Sequence, residues 1–271
     1  MTQPFADYMT IATEVALQSG AVLKEFWGKI QEIHEKDYPG DLVTNADCKS
    51  EEVAIDLLQK HFPKHGILGE ETGLSRQESE YLWMIDPLDG TTNYAHQYPM
   101  FAVSIGLIYQ GKAVLGVVYN PIQNEMFQAY QGAGATLNGQ PIRVSKTSDL
   151  SQSLLATGFA YDRRETQDNN YAEFCYFTHL TQGVRRAGAA SLDLAYVAAG
   201  RLDGYWERGL KPWDMAAGMV LVQEAGGQIA EYDLSPINLY SGRILATNGL
   251  LHSALSEELM QVRADVLRSR A

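Results

Sequence analysis

Two aspartates three residues apart, Asp86 and Asp89, stand in the segment Trp83-Met84-Ile85-Asp86-Pro87-Leu88-Asp89-Gly90-Thr91-Thr92-Asn93. The apolar run Leu82-Trp83-Met84-Ile85 reads as a strand buried on both faces, and it delivers Asp86 at its end. Pro87 fixes the chain direction, and Gly90 permits a close backbone approach. Thr91-Thr92-Asn93 can open a short helix whose N–H groups face an anion. Carboxylates about 4 Å apart repel by roughly 4 kcal/mol at an effective dielectric near 20, and a divalent cation between them reverses the sign. An all-oxygen ligand set selects a hard ion such as Mg²⁺.

Other acids come in similar settings. Glu70-Glu71 follows the short strand Ile67-Leu68-Gly69, where the alternative reading is a solvated surface pair. Asp47, at the end of Asp41-Leu42-Val43-Thr44-Asn45-Ala46-Asp47, lies at a helix start, and so does Asp214 in Lys211-Pro212-Trp213-Asp214. Both suit an N-cap equally well. The chain as a whole carries 21 Lys and Arg against 33 Asp and Glu, a net charge of -12, with no basic run. That argues against a broad nucleic-acid face. A phosphorylated ligand would need cations between itself and so acidic a protein. Cys48 and Cys175 match no CxxC pattern and read as buried or half-buried free thiols of a reducing compartment. No signal peptide and no transmembrane run is expected, which points to the cytoplasm.

The positioning elements follow from periodicity and breakers. Helices are expected over 4–27, stopped by Gly28, and over 47–62, stopped by Pro63. Strands over 101–109 and 113–119 flank Gln110-Gly111-Lys112 as a hairpin, and 125–130 extends the sheet to a turn at Asn138-Gly139. The second part alternates strands near 154–157, 184–186, 204–206, 228–230 and 244–247 with helices near 171–179, 191–199, 215–225 and 251–267. The expected fold is an α+β, αβαβα layered sandwich in two subdomains, 1–148 and 149–271, that share one site.

Taken together, these segments resemble the inositol monophosphatase family. Its pattern is Gly-Glu-Glu, then an apolar-Asp-Pro-(Ile/Leu)-Asp-Gly-Thr block, then Trp-Asp before a small-residue helix. Here these are Gly69-Glu70-Glu71, Ile85-Asp86-Pro87-Leu88-Asp89-Gly90-Thr91 and Trp213-Asp214, in that order. Gly188-Ala189-Ala190-Ser191 and Trp206-Glu207 match the family's substrate region, and 198–204 with 209–214 look like its bacterial or plastid-type branch. The resemblance implies one Mg²⁺ on Glu70, Asp86 and the Leu88 carbonyl, and a second on Asp86, Asp89 and Asp214. A third, weaker ion would contact Glu70, so two to three are expected. It implies that Gly90 and Thr91 hold phosphate, and that Glu207 takes substrate hydroxyls beside Gly188, Ala189 and Ala190. Lys36 would be an outer contact. Glu70 and Thr91 would orient the attacking water, and Asp47 would hold the Thr91 hydroxyl. The implied reaction is hydrolysis of a phosphate monoester, foremost inositol 1-monophosphate, without a phosphoenzyme. Such hydrolysis needs rate enhancements of up to about 10²¹-fold, far above the 10²–10⁴-fold of one general base. A homodimer and inhibition by Li⁺ are also implied.

Competing signals are weaker. Gly106-Leu107-Ile108-Tyr109-Gln110-Gly111-Lys112-Ala113 is one residue short of a P-loop and lacks its Ser/Thr, so a hairpin fits better. Gly132-Ala133-Gly134 reads as a turn, and His61 and His65 read as surface histidines. An aspartyl-nucleophile phosphatase would need Asp-x-Asp where this chain has Asp-x-x-Asp. Other expected readings are phosphatases of fructose bisphosphate, histidinol phosphate or nucleotide-derived bisphosphates. A regulatory binding protein that retains the fold is a further one. Arg163 and Arg164 suit either a second substrate phosphate or a solvated loop.

Overall fold

The protein's computed structural model describes residues 5–75 and 79–268; the expected helix start at Pro4 lies outside them. After helix α1 (Phe5–Phe26), a small hairpin of β1 (Ile33–Glu35) and β2 (Leu42–Thr44) leads into helix α2 (Asn45–His61). Strands β3 (Gly66–Gly69), β4 (Gly73–Ser75), β5 (Tyr81–Asp89), β6 (Ala102–Tyr109), β7 (Lys112–Asn120), β8 (Glu125–Tyr130), β9 (Gly134–Leu137) and β10 (Gln140–Ile142) form an eight-stranded sheet, with the short helix α3 (Thr91–Ala95) between β5 and β6. Its order is β10-β9-β8-β7-β6-β5-β3-β4, antiparallel except for the parallel β3/β5 pair. A second sheet of five strands has the order β12-β11-β13-β15-β14, from β11 (Leu154–Thr157), β12 (Gly183–Arg185), β13 (Gly204–Arg208), β14 (Gln228–Ala230) and β15 (Arg243–Thr247). Its helices are α4 (Tyr171–Leu180), α5 (Ala190–Ala198), α6 (Pro212–Glu224) and α7 (His252–Arg268).

The layers follow from which faces are apolar. On β6, Val103, Ile105 and Leu107 point to α1 and α2, while Ser104 and Gly106 point the other way, to α6. Helices α5 and α6 are apolar nearly all round and are buried between the two sheets. Helices α4 and α7 cover the outer face of the second sheet, over Leu155, Trp206 and Leu245. The result is the expected α-β-α-β-α stack. The middle layer can sit so close because Gly106 and Gly116 present no side chain to Ala216 and Ala217 of α6.

Three expectations need correction. Strand β5 does not stop at Asp86 but runs to Asp89, through a bulge. Both cysteines are exposed free thiols rather than buried, since each lies on the solvent side of its helix. His65 is not a surface histidine: it stacks between Phe62 and Tyr81 and accepts the Trp83 Nε1–H at 3.1 Å. Burial in this aromatic cluster lowers its pKa. The Gln110-Gly111 turn is the expected hairpin, with both residues at positive φ, 48° and 78°.

Candidate active site

The bulge in β5 is what makes the site. Asp86 pairs with Ser104 and Asp89 with Ala102, so three steps along β5 match two along β6. In a regular strand, residues three apart face opposite sides. One extra residue restores the parity and turns both aspartates toward the same cleft. Pro87, which has no N–H to lose from the ladder, occupies the bulge, and Asp86 Oδ1 accepts the Leu88 N–H at 3.0 Å. Gly90 then caps α3 at φ 95°, where a Cβ would meet the Met100 carbonyl at 2.9 Å.

A cleft of about 290 Å³ opens there. Glu70, Asp86, Leu88, Asp89, Gly90, Thr91, Gly188, Ala189, Ala190, Glu207, Asp214 and Lys36 all line it. Sequence positions 36 to 214 are thus brought to one place by the hairpin, β3, β5, α5, β13 and α6. Asp47 lies one layer behind: its Oδ1 accepts the Thr91 hydroxyl at 2.9 Å. Its Oδ2 accepts the Thr44 N–H at 2.9 Å, so Thr44 is the N-cap and Asp47 the third helical residue. Asp214 repeats the device on α6, where its Oδ2 takes the Lys211 N–H at 2.7 Å. Neither aspartate is the N-cap, and each keeps a second oxygen for other work.

Glu70 is aimed by a residue that the sequence reading did not single out. Buried Glu51 of α2 accepts the N–H of Glu71 at 2.9 Å, the N–H of Thr72 at 3.0 Å and the Thr72 hydroxyl at 2.5 Å. Its carboxylate lies where a Cβ on Gly69 would be. Lys36 Nζ bridges Glu70 at 2.7 Å and Glu71 at 2.5 Å. Burial would lower the Lys36 pKa, but these two glutamates raise it further.

Asp89 also ties the end of β5 to α5. Its carboxylate accepts the Ala190 N–H at 3.1 Å, and the Ser191 N–H and hydroxyl at 2.7 and 2.5 Å, at the start of α5. The sequence marks Ser191 only as part of the Gly188-Ala189-Ala190-Ser191 segment. Glu207 packs against Gly158 and accepts the Tyr205 hydroxyl at 2.5 Å. Arg186, also unforeseen, lines the cleft beside them. Arg163 and Arg164 do not line it: their guanidinium groups donate to the carbonyls of Ala160 at 3.1 Å and Pro39 at 3.3 Å. The loop's contribution is instead Gly158, Phe159, Ala160 and Tyr161.

The electrostatics are those of crowded acids. Burial, then the charges of Glu70, Asp89 and Asp214, push the Asp86 carboxyl well above its ordinary pKa. Asp214 is likewise raised by burial and by Asp89. Burial pushes Asp89 up to about 6 against the pull of its Ser191 and Ala190 donors. Asp47 and Glu207 are each pushed up to about 7, mainly by burial. Among the described residues, no three acids stand at metal-ligand spacing; Glu70, Asp86, Asp89 and Asp214 each accept a hydrogen bond from within the protein. The donor chemistry nevertheless fits hard divalent cations. It is all oxygen, drawn from several elements, and acids that raise one another as Glu70, Asp89 and Asp214 raise Asp86 are stable together only with protons or cations among them.

A layered αβαβα fold with an acid-walled cleft at the bulge of its larger sheet defines one class of protein. The sequence profile of the inositol monophosphatase family matches residues 6–268, and the chain belongs to that family. It is 57% identical over 253 residues to an inositol-1-monophosphatase of Synechocystis sp., covering 93% of this chain and 88% of that one. A solved inositol monophosphatase from Anabaena superposes with a TM-score of 0.89 at 56% identity, over 96% of this chain and 97% of the other. A protein of Pseudomonas aeruginosa named Nus factor SuhB is 47% identical over 228 residues, 82% of this chain and 84% of that one.

Proposed function

We propose that this chain, a member of a phosphatase family, hydrolyses inositol 1-monophosphate to inositol and phosphate in a Mg²⁺-dependent reaction without a phosphoenzyme. The observation that carries the reading is the gathering of Glu70, Asp86, Asp89 and Asp214 in one cleft, where Glu70, Asp89 and Asp214 raise the pKa of the buried Asp86 carboxyl. Glu70, Asp86 and the Leu88 carbonyl would hold one cation, and Asp86, Asp89 and Asp214 a second, with a third, weaker ion on Glu70. Bound Mg²⁺ supplies charge neutralisation at phosphoryl oxygens and makes water more acidic. The chain's own groups do the rest. Gly90 and Thr91 offer N–H groups to the phosphate. Asp47 orients the Thr91 hydroxyl toward the attacking water, and Glu70 accepts its proton. Glu207, between Gly158 and Tyr205, accepts hydroxyls of the polyol, with Gly188, Ala189 and Ala190 as the wall opposite. The reading carries with it a homodimer, inhibition by Li⁺ and a cytoplasmic site of action. Asp86→Asn and Asp214→Asn should each lower kcat for phosphate release by about 10²-fold or more at saturating Mg²⁺. Near-normal turnover in either would overturn the cation assignment.

The relative named as a Nus factor favours a second reading, a binding role beside catalysis. An Asp86→Asn chain that lost phosphate release but still complemented a deletion strain would decide for it.

A further inference from the structure

Three consecutive residues at the end of β13 each engage the same loop. Glu207 lies against Gly158, where a Cβ would collide with its carboxylate. Gly209 lies against Ala160, where a Cβ would collide with the alanine methyl. Between them, Arg208 forks onto Asp162, Nη1 to Oδ1 at 2.9 Å and Nη2 to Oδ2 at 2.6 Å. Arg208 also donates to the Asp168 carbonyl at the far end of the loop. Asp168 is in turn bound by Arg243 of β15 and, at 2.6 Å, by Arg263 of α7. Asn170 closes the segment, donating to the Thr157 hydroxyl and the Gly158 carbonyl, both at 2.7 Å, and accepting Trp206 Nε1–H at 2.7 Å.

Isolated surface ion pairs contribute little. This one differs in two ways. The Arg208 side chain is only 12% exposed, and its fork is bidentate. The network also balances: burial pushes the Asp168 carboxyl up, but Arg263, Arg243 and Arg208 together hold it below its usual range. None of these charges lines the cleft, whereas Gly158, Phe159, Ala160 and Tyr161 do.

We propose that Arg208 is a positioning residue for substrate selection: it latches segment 158–168 onto the end of β13, so that the loop and Glu207 present one fixed wall to the alcohol part of the substrate. This rests on the proposed phosphatase reading, in which Glu207 takes the polyol hydroxyls. The proposed phosphate holders Gly90 and Thr91 and the carboxylates Glu70, Asp86 and Asp214 lie outside β13 and outside segment 158–168. Its loss should therefore weaken recognition of the alcohol and leave the phosphoryl step alone.

The test compares inositol 1-phosphate with p-nitrophenyl phosphate, which has no hydroxyls for Glu207, in wild type, Arg208→Lys, Asp162→Asn and the double variant. Each single variant should raise KM for inositol 1-phosphate about tenfold, and the double variant no further, because the two remove one contact. Values of kcat, and KM for p-nitrophenyl phosphate, should stay within about twofold of wild type. Hydrogen–deuterium exchange of peptides spanning 158–170 should quicken in all three variants, while Mg²⁺ binding by calorimetry stays unchanged. Equal losses on both substrates, an unchanged KM, or unchanged exchange would overturn the latch. If Arg208→Lys does not fold, Asp162→Asn carries the same test from the loop side. A wild type that hydrolyses neither substrate would sink the phosphatase reading, and the exchange data would still judge the latch.

Discussion

Glu51 shows how one side chain outside the cleft governs a residue within it. Its carboxylate receives three donors from Glu71 and Thr72, the residues directly after Glu70. Glu51→Ala removes three part-buried hydrogen bonds, from the Glu71 N–H and from the N–H and hydroxyl of exposed Thr72, each worth about 0.5–1.5 kcal/mol. We expect a loss of about 3 kcal/mol in urea unfolding, together with a weaker calorimetric affinity for Mg²⁺, as Glu70 loses its aim. Full stability with reduced Mg²⁺ affinity, or the reverse, would separate the two effects. Glu51 escaped the sequence reading because nothing local marks it: it is one of several charged residues on α2, and its partners are 20 and 21 positions away. Asp86 was legible for the opposite reason, since an apolar strand, a proline and a glycine surround it within a few residues. Ser191 and Arg208 fall with Glu51, because their roles depend on which strand and helix ends meet across the two sheets.

At the scale of elements, the bulge in β5 and the bare face of β6 and β7 do most to place the site. Gly116 faces the α6 backbone so closely that a Cβ would lie on the Ala217 carbonyl. Helix α6 carries Asp214 in its first turn, so pushing it outward would shift a cleft acid as well as the core. Gly116→Ala should therefore cost about 2–3 kcal/mol by urea unfolding and also lower turnover. Gly111→Asn is the control. It sits at φ 78° in the β6–β7 turn with nothing within 4 Å of an added Cβ, and Asn tolerates that conformation at a cost of about 1 kcal/mol or less. Most strands and helices were readable from apolar runs and from their stops. The β1/β2 hairpin was not, because Ile33, His34 and Glu35 are all exposed and show no burial period. The bulge was also hidden: Pro87 reads as a strand end, and only the pairing of Asp89 with Ala102 reveals that the strand continues.

The molecule buries several acids, Asp47, Asp86, Asp89 and Asp193 among them, and this sets how stability should respond to pH. Asp47 and Glu207 are each pushed up to about 7, chiefly by burial, and Asp193 is raised well above its ordinary range by burial and by Glu207. In the unfolded chain these groups titrate near 4. Between about pH 4 and 7 the folded protein therefore binds more protons than the unfolded one, and stability must fall as pH rises through that window. This is the opposite of the usual salt-bridged carboxylate, whose stabilisation is lost as pH falls. It also opposes the ordinary acid denaturation to which groups such as Asp168, held below its usual range by three arginines, contribute at lower pH. Cations that bind the deprotonated cleft act against the trend, because they compete with those protons. The melting temperature without added divalent ions should decline from pH 5.5 to 8, and the upward shift produced by 10 mM Mg²⁺, about 2–4 °C for each kcal/mol gained, should grow over the same interval. Scanning calorimetry in EDTA and in Mg²⁺ at four pH values reads both slopes. A Mg²⁺ shift that is flat with pH would mean that the buried acids keep their protons when the ion binds, and that the cation site lies elsewhere.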